Sequence, residues 1–163
     1  DVLGWRRRRI ALPYREVPEA RRREADRILK RHPRPLWNHD RSAVDNDWFF
    51  AASTKSIEYC RRRMPRFLYE IQVFRVGNAF LVGLPGEPFV EGQLAIKTGA
   101  PLPHVQVAHM CSHYTGYLPT RAGALRGGHE AHPRCTYWSK LAPEALDRVV
   151  ATVRAMMAEL ADA

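Results

Sequence analysis

No apolar run in this sequence approaches the roughly 20 residues needed to span a bilayer, and the early arginines of DVLGWRRRRIALPY are not followed by the apolar region of a signal peptide. Neither a helical membrane anchor nor an intact leader is expected within these residues. With no initiator methionine either, the chain is expected to be a piece of a longer protein. Cysteine is scarce: Cys60, Cys111 and Cys135 stand outside any CxxC spacing. An extensive disulfide framework is therefore excluded, although one bridge beside a free thiol stays open. Lysine is scarce too, at 4 against 22 arginines. There is no internal repeat and no low-complexity segment.

What is present is enough apolar residue, 45% of 163, for one sizeable core. The net charge of +9 is unevenly placed. Residues 1–75 carry 19 Lys and Arg against 10 Asp and Glu, and residues 76–163 carry 7 against 7. An arginine excess over lysine also arises from biased codon usage, so it argues only weakly for phosphate recognition. The runs Arg6 to Arg9, Arg21 to Arg23 and Arg61 to Arg63 are read as solvated faces, with attraction to anionic membrane surfaces as their functional alternative.

Periodicity divides the chain into a basic first part (1–67) and a second part (68–163) within a single domain. Residues 6–18 predict a short strand with Ile10, Leu12 and Tyr14 alternating, ending at a proline turn. A surface helix follows over 19–32, acids first and bases last. A second helix is predicted over 43–64, its apolar side marked by Trp48, Ala51, Ala52, Ile57, Tyr59 and Cys60. From residue 68 the period becomes two, with Tyr69, Ile71, Val73 and Arg75 on one side. GNA at 77–79 then turns the chain into FLVGL, a strand expected to be buried on both faces. A helix over 89–99, a strand over 104–111 and a last helix from about Pro143 to Leu160 complete the pattern. The predicted fold is α/β, a central mixed sheet flanked by helices.

Two strand ends carry the chemistry. GLPGEPF follows the strand at 80–84, and CSHYTGYLPTR follows the strand at 104–111. If the helix between them is a crossover, both ends emerge on one edge of the sheet, where α/β proteins build sites, and Glu87 comes close to Tyr114. The bland alternatives are a helix N-terminal acid for Glu87 and half-buried aromatics for Tyr114 and Tyr117. Five of the seven histidines fall between 104 and 132. His109, Cys111 and His113 would share one strand face, but they are too close in sequence to enclose an ion unaided. A packed strand is the expectation there. Arg121 is expected to be solvated or salt-bridged, with orientation of a substrate carbonyl as the alternative.

The spans FLVGLPGEPFVEGQLAIK, SHYTGYLPTR and SKLAP, in this order and separation, resemble the neutral or alkaline, non-lysosomal ceramidase family over about residues 70–145. That family has a PGE segment after a strand, an N-x-Y-x-x-Y segment, and an S-x-L segment before its last helix. The resemblance implies a zinc (Zn2+) amidohydrolase that cleaves the N-acyl amide of a ceramide-like lipid with metal-activated water, and a secreted or membrane-associated setting. By position, it makes Glu87 and Tyr114 metal ligands. The two histidine ligands would lie in an earlier part of the catalytic domain missing from this chain, which would then be the C-terminal part of that domain. Ser112 stands where the family has asparagine, and Ala124 where it has a tyrosine that helps stabilise the oxyanion. The family's Q-x-Y-E segment is GGHE here, making His129 a candidate replacement donor. His113 is a candidate for the mouth of the site and Tyr117 for substrate contact. The reading from a different class is a non-catalytic basic module that binds nucleic acid or anionic lipid through the first 75 residues, with affinity that falls steeply with salt.

Overall fold

A computed structural model describes residues 2–162. Strand β1 (Leu3–Leu12) pairs antiparallel with β2 (Phe67–Val76), which turns at Gly77 into β3 (Ala79–Gly83). β3 then lies parallel to β5 (His104–Ala108), reached through the crossover helix α3 (Val90–Thr98). The order β1-β2-β3-β5 makes one mixed sheet. Between β1 and β2 stand α1 (Glu19–Arg31) and α2 (Asn46–Arg63), packed on each other. After β5 come β6 (Tyr117–Leu118), the short α4 (Arg121–Arg126) and the final α5 (Ala145–Ala161).

The core forms because period-two and period-3.6 stripes meet. Tyr69, Ile71 and Val73 of β2, with Phe80 and Val82 of β3, present one fully buried face. Onto it α5 lays Val149, Val153, Met156 and Met157, all buried. Helix α2 starts where the Asp45 side chain accepts the Trp48 amide at 2.9 Å, satisfying one of the free donors of the first turn. Its Ile57 joins the same core. Cys60, Cys111 and Cys135 are all unpaired thiols, and no helix among the described residues is long and apolar enough to cross a membrane.

The structure corrects four expectations. β1 runs ten residues, beginning at Leu3, ahead of the expected span, and ending at Leu12; alternation sends Arg8 to Glu159 (2.9 Å) on one face and Arg9 to Glu70 (2.8 Å) on the other. β3 is covered on one face only, and Leu81 is 48% exposed on the other. Tyr59 points outward from α2, where Arg63 lies over its ring and donates to its hydroxyl at 2.6 Å. Finally, His109, Cys111 and His113 do not continue a strand: β5 ends at Ala108, and Met110 and Ser112 take positive φ values of 60° and 63°, which break the period of two.

Candidate active site

The β3 and β5 ends do emerge together, and their pairing persists past both strands. The Leu84 amide donates to the Ala108 carbonyl (2.9 Å), Cys111 to Leu84 (3.0 Å) and Met110 to Gly86 (2.9 Å). The two loops are thereby zipped as they leave the sheet. They meet again in a two-residue parallel ladder between β4 (Glu87–Pro88) and β6, with Glu87 opposite Tyr117. The Glu87 amide donates to the Gly116 carbonyl at 3.0 Å, and the Tyr117 amide to Trp138 at 2.7 Å.

Close approach of these backbones depends on glycine. Gly86 has φ +66°, and a Cβ there would sit 2.1 Å from the Thr115 hydroxyl oxygen and 2.4 Å from the Gly116 carbonyl. Beneath the loop, the buried Tyr69 hydroxyl donates to the Pro85 carbonyl at 2.7 Å, and burial pushes its pKa well up. Tyr69→Phe removes that donor and leaves a buried carbonyl unsatisfied. The expected loss is about 1–3 kcal/mol, seen as a lower midpoint in chemical unfolding.

On this frame the Tyr114 hydroxyl comes to 3.5 Å from the Glu87 carboxylate, a long contact whose importance is convergence rather than bond strength. Glu87 is half-buried and Tyr114 exposed. The Tyr114 phenol is raised above its ordinary pKa by burial first, then by the negative charge of Glu87 and by Tyr117 and Tyr137. Glu87 lies two residues before Phe89, the N-cap of α3, and Glu91 occupies that helix's first turn. A macrodipole effect falls off within that turn, so it gives Glu87 little to do.

The other candidates scatter around this pair. Tyr117 is half-buried beside Glu87 in the ladder. His113 packs against Phe67, ring centres 5.4 Å apart. His129 is exposed and lies 4.4 Å from the Trp138 ring, joined through Trp138 to a cluster with Phe49, Phe50 and His132. Arg121 is salt-bridged to Asp147 at 2.6 Å, as expected of a surface residue. Sequence reasoning missed Tyr137, which comes in from the segment before SKLAP and is half-exposed. The bridge between Gly116 and Ser139 brings that segment to the site, and only its nearness to the S-x-L motif hinted at this.

Two oxygen donors of different charge therefore converge, one half-buried and one exposed. That arrangement fits part of a zinc shell, for which carboxylate is a standard ligand. Among the described residues no group of three or more His, Cys, Asp or Glu side chains could hold an ion by itself.

Fold and site together define an α/β layer whose candidate chemistry stands on loops after neighbouring parallel strands. No protein-family model matches the sequence, and no curated protein matches it. Among solved structures, the neutral ceramidase from Pseudomonas aeruginosa is similar over 99% of this chain, with a TM-score of 0.54 and 18% identity. A ceramidase complexed with C2 is similar over 58% of the chain, with a TM-score of 0.50 and 22% identity. The chain spans 29% and 15% of those two proteins. Its fold is thus that of part of a larger ceramidase domain.

Proposed function

We propose that this chain forms part of a ceramidase-like hydrolase that cleaves the N-acyl amide of a ceramide-like lipid, with zinc as its metal. The observation that carries this reading is the convergence of Glu87 and Tyr114, 27 positions apart in sequence, at 3.5 Å on paired loops, in a fold shared with neutral ceramidase. Glu87 and Tyr114 supply two ligands, and the others come from polypeptide outside these residues. When bound, zinc polarises a carbonyl and lowers the pKa of water to about 7.

The chain's own residues then divide the remaining work. Glu87 brings the negative charge. Tyr114 keeps its proton at neutral pH in the absence of a cation, since both burial and Glu87 oppose ionisation. Tyr117, opposite Glu87 in the ladder, and Tyr137, near enough to act on the Tyr114 phenol, offer hydroxyl donors to the amide oxygen or to the lipid's own hydroxyls. His129 is a second candidate donor from the Trp138 side, and His113 lines the Phe67 side of the mouth.

The complete gene product containing these residues tests the proposal. It is expected to release fatty acid from an N-acylsphingosine, to lose that turnover after dialysis against a chelator, and to regain it with zinc. Turnover that persists without metal sinks the zinc assignment. Absence of amide cleavage, combined with vesicle or nucleic-acid binding that survives chelation and collapses with salt, would favour the basic-module reading instead. Nothing in the geometry favours that module. Five of the 17 arginines in residues 1–75, Arg8, Arg9, Arg21, Arg22 and Arg23, are engaged in ion pairs.

A further inference from the structure

The sheet has helices on one face and none of the described ones on the other. On that open face, the registers align Trp5, Phe74 and Leu81 in one row across three strands, with Leu3 and Val76 in the next. Trp5 is 61% exposed and Val76 60%. Isolated apolar residues on a surface need no explanation, but contiguous rows of them mark an interaction surface. The β3 and β5 pair makes the point sharper. All-parallel sheets are found almost only with both faces covered, and in this mixed sheet the one parallel pair has a bare face.

Towards the site the same face becomes polar. Glu70 is nearly buried there, accepting from Arg9 at 2.8 Å and from Gln72 at 3.0 Å, and Gln72 also donates to the Ser112 hydroxyl at 3.1 Å. Ser112 belongs to the loop that carries Tyr114. The open face is therefore continuous with the site, and whatever covers it arrives beside the Glu87–Tyr114 pair.

We infer that this face is the seat of a further polypeptide layer of the same catalytic domain, apolar over the Trp5–Phe74–Leu81 row and acidic towards Arg7. The inference rests on the ceramidase-like reading for the identity of that layer. Its physical grounds are the bare parallel pair, and the fact that the neutral ceramidase similar to 99% of this chain is more than three times as long. Charge disfavours a second copy as occupant. Arg7 and Arg9 share the face, its Glu70 carboxylate is already held by Arg9, and two copies face to face would set guanidinium against guanidinium.

Thiol footprinting of the complete gene product tests this. Leu81→Cys is compared with Leu125→Cys, a position 87% exposed on α4, using a maleimide under native conditions against the parent protein as background. The L81C thiol is expected to label at least about tenfold more slowly than L125C, the mark of a site reached only by opening. That ratio should stay unchanged on dilution and on adding phosphatidylcholine/phosphatidylglycerol vesicles. Equal labelling overturns the inference. Protection lost on dilution identifies a second copy, and protection seen only with vesicles identifies a membrane surface; either result also overturns it. Should L81C fail to fold, Trp5→Cys reads the same row. The footprint is independent of zinc and turnover, so a protected face in an inactive protein would uphold the covering polypeptide layer while removing the hydrolase reading that assigns it to a catalytic domain.

Discussion

Replacing Glu87 by Gln in the complete gene product is expected to lower zinc content and amide turnover together, while leaving the fold intact. The substitution keeps the size of the side chain and one carbonyl oxygen, but it removes the negative charge that makes a carboxylate a ligand. Partners that merely orient metal ligands are worth 10–100-fold in affinity or activity, so loss of a ligand itself should cost at least about 100-fold in turnover. If Glu87 served only the α3 macrodipole, the change would be worth about 0.3–1 kcal/mol of stability and nothing in activity. Its place in the β4 ladder, ahead of Phe89 and separate from the first-turn acid Glu91, makes that small effect the less expected one. Unchanged zinc stoichiometry with unchanged turnover would remove Glu87 from the site.

The parts of the fold that were legible in the sequence are those where one chain segment carries its own instruction. Tyr69, Ile71 and Val73 alternate because one face of β2 is buried, and Leu146, Val149, Val153 and Met156 recur because α5 lays one stripe on the sheet. The juxtaposition of Glu87 with Tyr114 was legible for a related reason. Two strands joined by a helix of the length of 90–98 are most simply parallel neighbours, and their following loops then share an edge. What stayed hidden depends on partners. The strand expected within residues 6–18 begins earlier, at Leu3, and its pairing of Arg8 with Glu159 and Arg9 with Glu70 has no local signal. The HxCxH spacing looked like a strand because nothing in it announces positive φ at Met110 and Ser112. Tyr137 reaches the site only through the bridge of Ser139 to Gly116, a long-range pairing with no local signal. Leu81 was expected to be buried, and that is the expectation the open face would satisfy once covered.

Gly86→Ala is expected to have the largest structural effect of any single methyl added near the site. The left-handed backbone at φ +66° costs an alanine roughly 1–2 kcal/mol relative to glycine. The new Cβ would also overlap the Thr115 hydroxyl oxygen at 2.1 Å and the Gly116 carbonyl at 2.4 Å, and overpacking of this kind adds typically about 1–3 kcal/mol. A total loss of about 2–5 kcal/mol in chemical unfolding follows. Gly77→Ala provides the control. It has the same sign of φ, +58°, but no atom within 4 Å of the added methyl, so only the backbone component of about 1–2 kcal/mol should appear. The difference between the two variants isolates the contact of the PGE loop with the Thr115–Gly116 backbone. That contact holds the Glu87 amide on the Gly116 carbonyl, so G86A should also part Glu87 from Tyr114 and depress zinc retention, which G77A should not do. Adding Thr115→Ala to G86A would remove the hydroxyl overlap but leave the one with the Gly116 carbonyl, and so should restore stability only in part. Full restoration would show that the two loops are not held against each other through their backbones, and the geometric basis for a shared site would go with it.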